Sequence, residues 1–167
     1  MYRAVHIFPR FAEQFRIDRL RARYDPLHQV IEPHIALVFP FESDISASDL
    51  DGHVRQRVSG VKPFRLVLRE VTGSDGGYLF LNVKRGNDEI VALHDALYAG
   101  PLQRFLNRSL TYVPHMTVGH IDDLSDFQKA VQETQNLRDE FETIVAAVCI
   151  ESLLEGGLSR VDAVVEP

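Results

Sequence analysis

Pro33-His34-Ile35-Ala36-Leu37-Val38-Phe39-Pro40-Phe41 and Pro114-His115-Met116-Thr117-Val118-Gly119-His120 are two versions of one pattern, with 81 positions between their leading histidines. In each, a proline precedes a histidine, and small or polar residues alternate with apolar ones. Proline belongs at the start or edge of a strand, and alternation with a period of two is the strand signature. The spacing predicts strands over residues 34–39 and 115–121. The first sets His34 and Ala36 on one face against Ile35, Leu37 and Phe39. The second sets His115 and Thr117 against Met116 and Val118, and places His120 on the face opposite His115.

Residues 2–8 alternate as a strand with Tyr2, Ala4, His6 and Phe8 on one face, stopped by Pro9. A helix over 11–24 follows, with Phe11, Phe15, Leu20 and Tyr24 as its apolar stripe and Arg16, Arg19, Arg21 and Arg23 as a basic outer surface; Asp25-Pro26 closes it. Ser46 or Ser48 caps a second helix that buries Leu50, Val54, Val58 and Val61. Residues 64–71 and 78–83 read as a hairpin around Gly73-Ser74-Asp75-Gly76-Gly77. Asn87 or Asp88 caps a third helix through Leu93, Leu97, Leu102, Phe105 and Leu106, interrupted near Gly100-Pro101. Ser125 caps a fourth with Phe127, Val131 and Leu137, and two strands, 140–153 and 160–165, close the chain around Glu155-Gly156-Gly157.

Strand, helix and hairpin units thus occur twice, an α+β pattern of two similar lobes that each take about half of the 167 residues. The weak internal repeat and the lack of a linker predict one bilobed domain over 1–167. Eighteen Lys and Arg against 24 Asp and Glu give a net charge of −6, which disfavours long duplex nucleic acid while leaving room for a local basic cleft. One cysteine, Cys149, excludes an intrachain disulfide and a Cys-based zinc site. With no run of eighteen apolar residues, a soluble cytoplasmic protein without membrane partners is expected; the oligomeric state is left open.

If a pseudo-two-fold relates the lobes, the two histidine faces meet across one cleft. Imidazole exchanges protons near neutral pH, so one histidine can take a proton from water or a hydroxyl while the other protonates a leaving oxygen. Such a pair suits phosphodiester cleavage without a metal, and Thr117 can donate to a phosphate oxygen. His6 is a candidate for the cleft lining. Arg10, Arg69, Lys84 and Arg85 are candidate phosphate contacts, and Tyr78 and Tyr112 candidate stacking faces, Tyr78 preferably a packing residue. His28, His53 and His94 read as loop or helix-surface residues. The glycine run lacks the Lys-Ser/Thr of a nucleotide-hydrolase phosphate loop, and no dinucleotide fingerprint occurs, so no cofactor is expected.

PHIALVFPF at 33–41 and PHMTVGH at 114–120 resemble the two signature strands of the 2H phosphoesterases, specifically the bacterial 2'-5' RNA ligase-like branch. The resemblance extends over nearly the whole chain and includes Tyr24-Asp25-Pro26. It implies two pseudo-symmetric lobes, each an antiparallel sheet with flanking helices, around a central cleft. It also implies action on 2',3'-cyclic phosphates or related phosphodiesters of a small nucleotide or RNA end. By position, His34 and His115 match the catalytic histidines and Thr117 the hydroxyl residue of the second motif. Ala36 stands where the first motif of that family has Thr or Ser, which makes a non-catalytic phosphate-binding module the competing expectation.

Overall fold

The computed structural model describes residues 1–154 and 158–166, so Glu155-Gly156-Gly157, expected between the last two strands, lies outside the described residues. In chain order the elements are β1 (Tyr2–Ile7), α1 (Gln14–Tyr24), β2 (Ile35–Glu42), α2 (Ala47–Val58), β3 (Phe64–Ser74), β4 (Tyr78–Arg85), α3 (Asn87–Leu97), a 3-10 turn (Gly100–Phe105), β5 (His115–His120), α4 (Leu124–Thr134), β6 (Glu140–Val145), β7 (Val148–Leu153) and β8 (Ser159–Val165). They form two antiparallel four-stranded sheets, β2-β1-β7-β8 and β5-β4-β3-β6. Both histidine strands are therefore edge strands, and each lies beside the strand that precedes it across a helix.

The sheets are not the two halves of the chain. The expected single strand over 140–153 is two strands: β6 pairs with β3 in the second sheet, and after Ala146-Ala147 the chain crosses so that β7 pairs with β1 in the first. The helices are exchanged as well, since α1, which leads into β2, packs on β5, while α3, which leads into β5, packs on β2. Gly119 permits the approach of α1, because a Cβ there would come within 2.8 Å of Tyr24 Cβ. The apolar faces of both sheets merge into one hydrophobic cluster that includes Val5, Ile35, Leu66, Leu79, Met116 and Ile150.

Local chemistry accounts for most boundaries. Ser46 caps α2 by accepting from Asp49 N at 3.0 Å, and Leu50, Val54 and Val58 are buried as expected. Helix α4 is capped by Asp123, which accepts from Asp126 N at 2.9 Å, two residues ahead of the expected Ser125. At α3 the cap position falls to Gly86 at φ 99°, a left-handed conformation natural to glycine, and neither Asn87 nor Asp88 caps the helix. Strand β2 runs through Pro40 rather than stopping before it, as an edge strand allows.

Helix α1 corrects the predicted stripe. Ile17 and Arg21 are its buried residues, whereas Phe15 is 56% exposed. Arg21 shares a face with Ile17 four residues before it and Asp25 four after it, so the arginine points inward, not onto a basic surface. Its Nε donates to Asp25 Oδ2 at 2.8 Å, and Nη2 reaches the Leu27 carbonyl at 3.3 Å. Asp25 Oδ1 in turn accepts from Leu27 N at 2.9 Å, which ends the helix and shapes the segment leading to His34.

Candidate active site

Each histidine sits at the mouth of its strand, just after a proline, and each is held in the same way. His34 Nδ1 lies 2.8 Å from the Glu32 carbonyl, and His115 Nδ1 lies 2.6 Å from the Val113 carbonyl. A carbonyl only accepts, so Nδ1 carries the proton in both rings and Nε2 is the nitrogen left for chemistry. The carbonyl belongs in each case to the residue before the proline, so Glu32-Pro33-His34 and Val113-Pro114-His115 are two copies of one device. Both rings line one cavity of about 490 Å³, together with Ala36, Thr117, Phe39 and Tyr78. A larger concavity of about 830 Å³ lies between the 73–77 turn and α4 and has no histidine in its lining.

The alternation expected of β2 and β5 is interrupted at equivalent positions. His6 faces Ala36 but Val5 faces Val38, which makes Leu37 an extra residue; Phe80 faces Thr117 but Leu79 faces Gly119, which makes Val118 an extra residue. Each bulge shifts the residues that directly follow it to the other face, and in β2 a second irregularity before Phe41 returns that ring to the core. Phe39, expected on the apolar face, therefore lines the cavity. His120, expected opposite His115, instead shares the face of Tyr78, on which it stacks at 4.3 Å. Strict alternation in the sequence cannot disclose a bulge.

At the bulge of β2, three side chains satisfy the backbone on its free edge. Tyr112 donates to the Ala36 carbonyl at 2.8 Å, His94 Nδ1 to the Leu37 carbonyl at 2.8 Å, and Phe39 N to the Tyr98 hydroxyl at 3.0 Å. Tyr112 and His94 stack at 3.6 Å. Tyr112 is thus a brace for the first motif and does not line the cavity, while Tyr78, read as packing, does. His94 and His53 are buried rather than on the surface; His53 Nε2 bonds the Leu97 carbonyl at 2.9 Å.

The cationic candidates also fall elsewhere. Arg10 is exposed and paired with Glu32 at 2.5 Å. Strand β4 runs on past its last rung with β5, Asn82 to His115, so Lys84 turns to Glu70 at 2.5 Å and Arg85 is exposed. The cation in the cavity lining is Arg21, with Asp25 beside it. Its spacing from Ile17 and Asp25 is the sequence signal that could have found it.

His6, expected in the cleft lining, is there, and its ring stacks on His34 at 4.3 Å. At the ring edge His6 Nδ1 lies 2.8 Å from Glu151 Oε2. In the second sheet the ring stacked on His115, at 3.6 Å, is Phe80. Burial, then the neighbouring His6, pushes His34 down to about 4, and burial also lowers His115. Burial opposes ionisation of Glu151, but hydrogen bonds from His6 and Ser159 and the histidine charges bring it below its ordinary value, so it is an acceptor toward His6. Cys149 is buried with its thiol pushed up by desolvation, an inert strand residue.

The fold and this cavity define a class: a two-lobed α+β protein that presents one histidine from each lobe, in matched orientation, to a shared site. Comparison with known proteins gives the family. The model of the 2'-5' RNA ligase superfamily matches residues 8–157, and the chain belongs to that family, the 2H phosphoesterases. A Bacillus pumilus protein named as a candidate phosphoesterase is 32% identical over 146 residues, 84% of this chain and 82% of its own. A second, from Halalkalibacterium halodurans, is 34% identical over 131 residues, 73% of each chain. Among solved structures, the Thermus thermophilus protein TT0787 superposes with a TM-score of 0.71 at 13% identity, covering 99% of this chain and 97% of its own. Escherichia coli LigT complexed with 3'-AMP superposes at 0.61 with 14% identity over 95% and 92% of the chains. Membership supports phosphoesterase chemistry in general. Among the described residues no helix is long and apolar enough to cross a membrane.

Proposed function

We propose that this protein hydrolyses a 2',3'-cyclic phosphodiester on a small nucleotide or an RNA end, without a metal, using His34 and His115 as its acid-base pair. The observation that carries the reading is the duplicated orientation of the two rings, each with Nδ1 tied to a backbone carbonyl and both lining one cavity. A water oxygen attacks phosphorus, and one Nε2 takes its proton. The bond from phosphorus to one ribose oxygen breaks, and the other imidazole, protonated at Nε2, gives that oxygen its proton. Thr117 Oγ1 donates to a non-bridging oxygen, and Phe39 and Tyr78 offer aromatic surface to a base. The net change is addition of one water. LigT, a structural neighbour, has been crystallised with ATP and with 3'-AMP, which supports a small nucleotide as the ligand class.

Ala36 supports a second reading, a non-catalytic module that binds a nucleotide or RNA-end phosphate, because the first motif lacks its hydroxyl. One experiment separates the two: product formation from a panel of 2',3'-cyclic nucleotides and a short RNA with a cyclic phosphate end, in EDTA, for wild type, His34→Ala and His115→Ala. Turnover in wild type that both substitutions abolish is the result expected. Saturable binding with no turnover above the His34/His115 double variant favours the binding module and overturns the hydrolase.

A further inference from the structure

The cavity that holds both strand histidines is poor in charge. Of the 18 Lys and Arg in the chain, Arg21 alone belongs to its lining among the described residues, and Glu155-Gly156-Gly157 and Pro167 add no cation. The Arg21 guanidinium is buried and bonded to Asp25, which is the one carboxylate of that lining, so the pair brings no net charge. Arg19 and Arg23 lie about 200° around α1 from Arg21. With Arg16 they line a separate concavity of about 410 Å³. Arg10, Arg69 and Lys84 are each held by a carboxylate that is not in the lining of the histidine cavity.

Most of the remaining wall is apolar. Leu27, Val30 and Ile31 come from the segment between α1 and β2, Phe39 from β2, and Leu153 and Leu154 from the end of β7. Four large side chains of this one lining stay well exposed, Tyr2 at 47%, Leu27 at 52%, Tyr78 at 38% and Leu154 at 44%. Apolar groups gathered on one rim mark a surface that a ligand covers.

We propose that the cavity selects a ligand with a single phosphate group and an uncharged remainder seated on apolar walls, so that its substrate is a free cyclic mononucleotide and not an RNA end. The choice of substrate rests on the hydrolase reading, whereas discrimination by charge applies equally to a binding module. A cyclic phosphodiester carries one negative charge, which the Thr117 hydroxyl and a protonated histidine can meet. In an RNA end the next phosphate is attached to the 5' oxygen of the same ribose, one nucleoside away. Proteins that hold RNA meet such phosphates with Lys, Arg or other donors. Here the second phosphate comes to an apolar rim without a free cation, where its loss of water is not repaid.

The test follows the His34 and His115 ring signals by NMR as the intact protein is titrated with three ligands, at low and at moderate salt. They are adenosine 3'-monophosphate, adenosine 3',5'-bisphosphate and an RNA trinucleotide that ends in adenosine 3'-monophosphate. None has a cyclic phosphate, so binding is read without turnover. The monophosphate should bind tightest, the bisphosphate about 5-fold or more weaker, and the trinucleotide no tighter than the monophosphate at either salt concentration. Leu27→Ser and Leu154→Ser, at exposed positions and with thermal unfolding as control, should each weaken monophosphate binding by about 3-fold. In turnover, kcat/KM should be higher for 2',3'-cyclic AMP than for the trinucleotide with the same cyclic end. A bisphosphate bound as tightly as the monophosphate, a trinucleotide bound more tightly, or either serine variant with unchanged affinity overturns the proposal. Absence of turnover on both cyclic substrates overturns the hydrolase reading alone, and the three affinities still decide which ligand the cavity selects. Failure of all three ligands to bind overturns both.

Discussion

Ala36→Thr puts into the first motif the hydroxyl that the second already has. Ala36 is half-buried, lines the 490 Å³ cavity and pairs with His6, so the two added heavy atoms project toward the cavity and leave the apolar side of β2 untouched. A β-branched residue suits an extended strand, and the change in stability should stay within about 0.5 kcal/mol. The catalytic gain is larger. A hydroxyl that hydrogen-bonds to a charged phosphate oxygen contributes about 1.5–3 kcal/mol, or roughly 10- to 150-fold in rate if the bond tightens only in the transition state. Thr117→Val, which keeps the shape and removes the donor, should lose a comparable factor. The assay is kcat on a 2',3'-cyclic nucleotide in EDTA, with thermal unfolding as the control for folding. A Thr117→Val variant as fast as wild type, or an Ala36→Thr variant slower than wild type at unchanged stability, would refute the placement of the phosphate between these two strands.

Two further outcomes follow from the site. His34 is held near 4 in the fold and returns toward its ordinary 6.5 when unfolded, so between these values the unfolded chain binds more protons and stability falls as pH drops. Relative to His34→Gln, wild type should lose about 1–2 kcal/mol of unfolding free energy between pH 7 and pH 5, measured by urea unfolding; a constant difference across that range would count against the buried neutral ring. Asp25→Asn leaves the buried Arg21 guanidinium without its counter-charge and should cost about 3 kcal/mol, read as a lower urea midpoint at unchanged slope, whereas Arg23→Gln on the exposed face of the same helix should change the midpoint little.

The two Pro-His strands were legible because proline, histidine and alternating apolar residues are local signals, and the spacing of the two copies carried the pairing of the lobes. Caps were read to within a residue or two, since Ser, Asp and Gly compete for the same boundary. The Arg21 error has a simple origin: arginine is usually a surface residue, and only the match of its spacing to Ile17 and Asp25 argues otherwise.

What local sequence determined here is the identity of the chemical groups and their strands, because side-chain type and the period of two are properties of a few consecutive residues. Which groups meet was decided by the tertiary structure. The bulges at Leu37 and Val118 turned Phe39 and His120 to new faces. The crossing after β6 brought Glu151 to His6 from 145 residues away, and the exchange of α1 and α3 set His94 and Tyr98 behind the first motif and packed Tyr24 against Gly119 of the second. Those contacts depend on sheet register and on how helices pack across lobes, and both are settled by burying one shared core rather than by any pattern along the chain.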